Sequence, residues 1–158
     1  ETLAITCYGG GNKKDVGESH PSAAPGTIYL QGQHDADGEG TIVVDIGYES
    51  AWCRGNPVNN GVDLPVPNLS EPAKAFREVK LVIGPGAPVN VTADNLEVGD
   101  VDIRKGGVLA VDDVTLWIRS LDHRRGKGWT GEVRRLDGNG DGVTGDVRWM
   151  GGFMIFVK

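Results

Sequence analysis

Glycine and proline interrupt this chain so often that almost no long run with helical spacing is left between them. The 158 residues include 25 glycines and 8 prolines, and inside a helix these cost about 1 and 3 kcal/mol respectively relative to alanine. The segments between them are short and rich in valine and isoleucine, which pack well on a pleated surface. This pattern predicts an all-β fold of many short strands, an antiparallel β-sandwich or flattened barrel with one short helix. A chain of this length buries its own core, so residues 1–158 read as a single domain.

Reading for alternation places the elements. TLAITCY (Thr2–Tyr8) is a first strand, followed by a loop of glycine, proline and small residues over 9–26. TIYLQGQ and GTIVVDIGYES flank HDADGE, the strand, Asp-Gly turn, strand pattern of a hairpin. Repeated proline over 54–68 forbids central-strand pairing and predicts a surface excursion. The one helix is expected over 71–78, with Ser70 as its cap, Pro72 in its first turn, and Ala73, Ala75 and Phe76 favouring helix. Strands return in VKLVIG, APVNVTA, GVLAVDDVTLWIRSL, GEVRRL and DVRWMGGFMIFVK. The last of these ends in GGFMIFVK, apolar on both faces, and reads as a doubly covered strand that helps close the domain. No internal repeat is read.

The two cysteines, Cys7 and Cys53, lack the CxxC or Cys/His spacing of zinc or redox sites. They are expected to form a disulfide worth at most about 4 kcal/mol. A start at Glu rather than Met fits an exported product, secreted, periplasmic or cell-surface. No apolar run approaches the roughly 20 residues that span a bilayer.

A net charge of −6 speaks against general nucleic-acid affinity. The charge is uneven: residues 1–103 carry six Lys/Arg and fifteen Asp/Glu, residues 104–158 ten and seven. If the basic part forms one face, it suits an anionic polymer or the acidic face of a second copy.

Three candidate sites emerge. Asp137, Asn139, Asp141 and Gly142 match the first half of a calcium loop, and Val143 would add its carbonyl at the seventh position. The twelfth position holds Arg148 instead of an acid, with Asp146 two residues earlier as the substitute ligand. Ca2+ is therefore the candidate cofactor, and a hairpin turn that needs no ion is the rival reading. The similar Asp35, Asp37 and Glu39 offer too few ligands and read as an ordinary turn, with His34 a solvated neighbour. In WIRSLDHRRGKGW, Arg119, His123, Arg124, Arg125 and Lys127 are interleaved with Trp117 and Trp129. Guanidinium groups grip carboxylate, sulfate or phosphate, and an exposed indole stacks on a sugar face. Trp117, in an alternating apolar strand, is expected to face the core, leaving Trp129 as the exposed indole.

Catalysis is the minority reading. No G-x-S-x-G, P-loop, H-E-x-x-H or dinucleotide motif occurs, and His20, His34 and His123 fall in loops with no nucleophile beside them. Asn68-Leu-Ser70 and Asn90-Val-Thr92 are formal N-glycosylation acceptors. These features predict a non-catalytic binding module for a carbohydrate or anionic polymer through residues 117–135. A self-assembling structural subunit and a small secreted hydrolase are the alternatives.

Overall fold

The structure, a computed structural model, describes residues 25–36, 38–45, 62–63, 74–137, 140, 142 and 144–150. Its strands, in chain order, are β1 (Gly26–Leu30), β2 (Gly40–Asp45), β3 (Val62–Asp63), β4 (Phe76–Ile83), β5 (Pro88–Val91), β6 (Leu96–Ile103), β7 (Val108–Asp112), β8 (Thr115–Ile118), β9 (Glu132–Leu136) and β10 (Asp146–Trp149). One sheet has the order β1-β2-β4-β6-β8-β10 and the other β3-β5-β7-β9. β1 and β2 pair antiparallel, with Gly26 opposite Asp45, as the hairpin expected about the Asp-Gly turn. All remaining pairings among the described residues are parallel.

From β3 onward, consecutive strands alternate between the sheets, so the chain winds as a two-sheeted coil whose turns stack on one another. This overturns the antiparallel sandwich or flattened barrel. Antiparallel neighbours are joined by hairpins, whereas parallel neighbours need a crossover, and here the crossover is a strand of the opposite sheet.

A repeat does exist. Ile83 pairs with Ile103, Val89 with Leu109, Val91 with Val111, Leu96 with Leu116 and Val98 with Ile118, one coil of twenty residues apart each time. All ten side chains are buried, and each contributes about 1.5–3 kcal/mol of hydrophobic stabilisation. The first corner of the coil recurs too. Gly86 (φ 71°) and Gly106 (φ 79°) take the left-handed position of successive turns, closed by Ala87 N–H to Gly84 O and Gly107 N–H to Arg104 O.

β5 and β7 are buried on both faces, as expected for parallel strands covered on each side. The Asn90 glycosylation motif falls here, and its side chain, 4% exposed, is closed to a glycosyltransferase. The other motif, Asn68, lies outside the described residues.

The helix expected over 71–78 is also corrected. Phe76 begins β4, is buried, and stands opposite Val98 of β6; burial against the sheet outweighs the weak helical preference of its neighbours. The pairing between β4 and β6 shifts between Phe76 and Lys80. Gly99 faces this bulge so closely that a Cβ there would lie 2.9 Å from the Glu78 carbonyl carbon and the Val79 oxygen. Among the described residues, no helix is long and apolar enough to cross a membrane.

Candidate functional site

The connection from β8 to β9, residues 119–131, departs from the coil's own period. The corresponding connections after β4 and β6 each take four residues. β8 pairs with β6 only at Leu96, Glu97 and Val98, so the long connection lies along the rest of β6 and covers its edge. Arg119 N–H donates to Val98 O at 3.0 Å, Ser120 N–H to Gly99 O at 2.7 Å, and Thr130 and Gly131 N–H both to Ile103 O at 2.9 and 3.0 Å. Covering an open edge in this way satisfies backbone groups that would otherwise template aggregation.

Side chains reinforce the attachment. Trp129 packs on the hydrophobic core and donates its indole N–H to Val101 O at 2.7 Å. His123 Nδ1 lies 3.0 Å from Asp100 Oδ1, and Lys80 Nζ lies 3.2 Å from Asp100 Oδ2. The Arg119 guanidinium pairs with the Glu78 carboxylate. Trp129 is thus a half-buried staple rather than the exposed indole expected. Trp117 reverses as well: Leu116 and Ile118 point inward, and Trp117 lies on the outer face. There it donates to Asn95 Oδ1 at 3.2 Å and carries the Arg148 guanidinium 5.5 Å above its ring.

Of the six binding residues predicted, three hold the loop and three are left at its tip. Arg124, Arg125 and Lys127 are exposed, and among the described residues no acid pairs with them. They lie on or beside a 3-10 turn, Arg124–Gly126, in which Arg125 has φ 58° and ψ 29°. A left-handed backbone costs a non-glycine residue roughly 1–2 kcal/mol, and such strain persists where surrounding structure holds it.

Beside the tip, at the end of the coil, is a cleft of about 510 Å³ lined by Arg125, Gly126, Trp129, Gly131, Val133, Arg135, Val147 and Trp149. Trp129 and Trp149 stand with ring centroids 5.9 Å apart at 37°. Trp149 lies outside the 117–135 stretch read as the binding region, and Arg135 ends that stretch without being singled out in it. The twenty-residue period does not reach them: Val111 pairs with Arg135 and Ile118 with Trp149, so the longer connections of the last coil put both at inward register positions that only the structure shows.

The 137–146 loop is only partly described, and Asn139, Asp141 and Val143 lie outside. Asp137 Oδ2 accepts the Gly142 N–H at 2.8 Å. Asp146 turns to Arg148 Nε at 2.8 Å and Arg135 Nη2 at 3.6 Å. The hydrogen bond from Arg148 holds the Asp146 carboxyl below its ordinary value. A carboxylate already engaged by two guanidiniums is a poorer ligand for a cation. Among the described residues, no group of three or more His, Cys, Asp and Glu is arranged to hold a metal. In the HDADGE turn, Asp35 Oδ2 accepts the Gly32 N–H at 2.6 Å and Glu39 Oε2 the Ala36 N–H at 2.9 Å, so these acids brace the turn. Asp37, Cys7 and Cys53 lie outside the described residues.

The coil sorts charge by corner. The connections on the loop's side, 104–107 and 119–131, carry Arg104, Lys105, Arg119, Arg124, Arg125 and Lys127 against Asp122 alone. At the opposite corner, 92–95, 113–114 and 137–145 contain no Lys or Arg and include Asp94, Asp113 and Asp137, while Lys74 lies in the connection that leads into β4. Comparison with protein-family models, curated proteins and solved structures returned no match.

Proposed function

We propose that this chain is a non-catalytic binding module for an anionic polymer, with acidic polysaccharide as the ligand class, gripped at the tip of the 119–131 loop. One observation carries the reading: Arg124, Arg125 and Lys127 are left without acidic partners, among the described residues, on a loop fastened to the sheet beneath it. Long cationic side chains on a fixed backbone lose less freedom on binding than the same residues on a loose loop. The acidic opposite corner repels the same polymer, so binding is oriented. The sugar-stacking half of the expectation is narrowed, because the Trp129 indole is occupied by the core and by Val101.

The test is calorimetric titration with a carboxylated polysaccharide, a sulfated one and neutral dextran at two salt concentrations. Heat with both polyanions that weakens as salt screens the charges, and none with dextran, is expected. Salt-insensitive binding, or none to either polyanion, rejects the reading.

The sorting of charge between corners favours one second reading, side-by-side assembly of copies, basic corner to acidic corner. Sedimentation at low salt separates the two: a species that stays monomeric at high concentration removes assembly and leaves polymer binding.

A further inference from the structure

The cleft at the end of the coil is built from three elements. β9 supplies Val133 and Arg135, β10 supplies Val147 and Trp149, and the 119–131 loop supplies Arg125, Gly126, Trp129 and Gly131. Its wall is apolar: Val147 is buried, and Trp129, Val133 and Trp149 are half-buried against the core. Neither indole offers a hydrogen bond to a guest, because Trp129 donates to Val101 O at 2.7 Å and Trp149 Nε1 is closed off from solvent. What the wall presents is carbon.

The rim is cationic. Arg125 and Arg135 are exposed, and among the described residues no acid lines the cleft. Asp146 reaches Arg135 only at Nη2, 3.6 Å away. A guanidinium carries five N–H donors, so Arg135 keeps donors for a second anion.

The loop side is fixed before any guest arrives. A Cβ on Gly126 would lie 2.9 Å from Trp129 Cε3, and one on Gly131 would lie 2.5 Å from the carbonyl oxygens of Arg104 and Gly107. The chain is thus pressed against the indole directly after Arg125 and against the coil's corner two residues after Trp129. Such preorganisation reduces the freedom lost on binding. An apolar cleft of about 510 Å³ with a few polar groups has the make-up of a small-molecule site.

We propose that this cleft binds a small aromatic carboxylate, its ring on Trp129, Val133, Val147 and Trp149 and its carboxylate on Arg125 and Arg135. A flat ring suits two indoles tilted by 37°, since aromatic rings prefer offset and tilted contacts. A carboxylate matches the planar guanidinium fork. The site goes beyond the polymer reading and shares only Arg125 with the basic tip.

The test is titration of the whole chain with naphthoate, followed by calorimetry and by methyl resonances. One equivalent should bind with a Kd below about 1 mM, shifting the methyls of Val133 and Val147 and leaving those of Val44, on β2 at the other end of the sheet. Naphthalene methanol, the same ring without the charge, should bind at least about tenfold more weakly. Arg135→Gln should weaken naphthoate about tenfold and leave the neutral alcohol's affinity unaltered, which shows that the cleft still stands. Arg77→Gln, on the outer face of β4, should change neither. No binding, equal binding of acid and alcohol, or shifts away from the cleft overturns the proposal. Val133 and Val147 shifts that follow protein concentration without naphthoate would mean that a second copy holds the cleft. Contacts to these methyls from the same chain, with no response to naphthoate, would mean that the protein fills it itself; either result overturns the proposal. Naphthoate binding without polyanion binding keeps the cleft and rejects the tip, and the reverse rejects the cleft alone.

Discussion

Trp129 donates its indole N–H to the main-chain carbonyl of Val101, 2.7 Å away and 28 residues back along the chain. This side-chain bond adds to the backbone bonds that join the loop carrying the basic tip to the strand it overlies, while the same indole packs on the core. Trp129→Phe keeps most of the ring's packing and removes the donor, which should cost about 1 kcal/mol. The loop then opens more often, so amide exchange at Thr130 and Gly131 should quicken roughly fivefold. Thermal denaturation and residue-resolved exchange check this; an unchanged exchange rate would mean that packing alone holds the loop.

Arg125 places a cation where the backbone prefers glycine. If its strain is retained for binding, Arg125→Gly should leave stability unchanged or raise it by up to about 1 kcal/mol, while polyanion affinity falls. Chemical denaturation and titration on the same variant separate the effects. Lower stability would show instead that the side chain is structural, and unaltered affinity would remove Arg125 from the site.

The strands were legible where apolar residues alternate, as in β4, but the corner at Asp113 and Val114 that divides GVLAVDDVTLWIRSL into β7 and β8 was not, nor was strand direction, because alternation is the same in parallel and antiparallel sheets. Direction was written in the twenty-residue recurrence that pairs Leu96 with Leu116 and Val98 with Ile118, a solenoid signature. β6 was hidden by Gly99 and by Glu97, Asp100 and Asp102, all outward-facing. At the site, the cationic run was visible as composition. Which cations were free was not, since that depended on Glu78 and Asp100, acids on strands distant in sequence that claim Arg119 and His123. Trp129 was misread because its partner is a backbone carbonyl, which no side-chain pattern announces.

Gly99 tests the bulge that the β4–β6 register requires. A methyl group there meets backbone atoms at 2.9 Å, and backbone yields less readily than a flexible side chain, so Gly99→Ala should destabilise by about 1–3 kcal/mol. Gly38, where an added Cβ meets nothing within 4 Å but φ is 85°, is the control for conformation without crowding. Gly38→Ala should cost only about 1 kcal/mol. Equal losses at the two positions, measured by denaturant unfolding, would mean that the bulge tolerates the methyl group and that the close approach is not a constraint.

Asp146 bridges Arg135 on β9 and Arg148 on its own strand, and this sets a pH dependence of definite sign. The Arg148 hydrogen bond lowers its pKa from the ordinary 3.8, with the charge of Arg135 acting in the same direction. The folded state therefore holds this proton less tightly than the unfolded state does. Its stabilising contribution is complete above the ordinary value and is lost as pH falls through the lower folded value. Because the carboxylate is 39% exposed, water screens the pair, and Asp146→Asn should cost no more than about 1 kcal/mol at neutral pH. The difference between parent and variant should shrink progressively as the pH drops below 3.8. A difference that persists unchanged into acid would assign the effect of the substitution to the fold of the 137–146 loop rather than to charge.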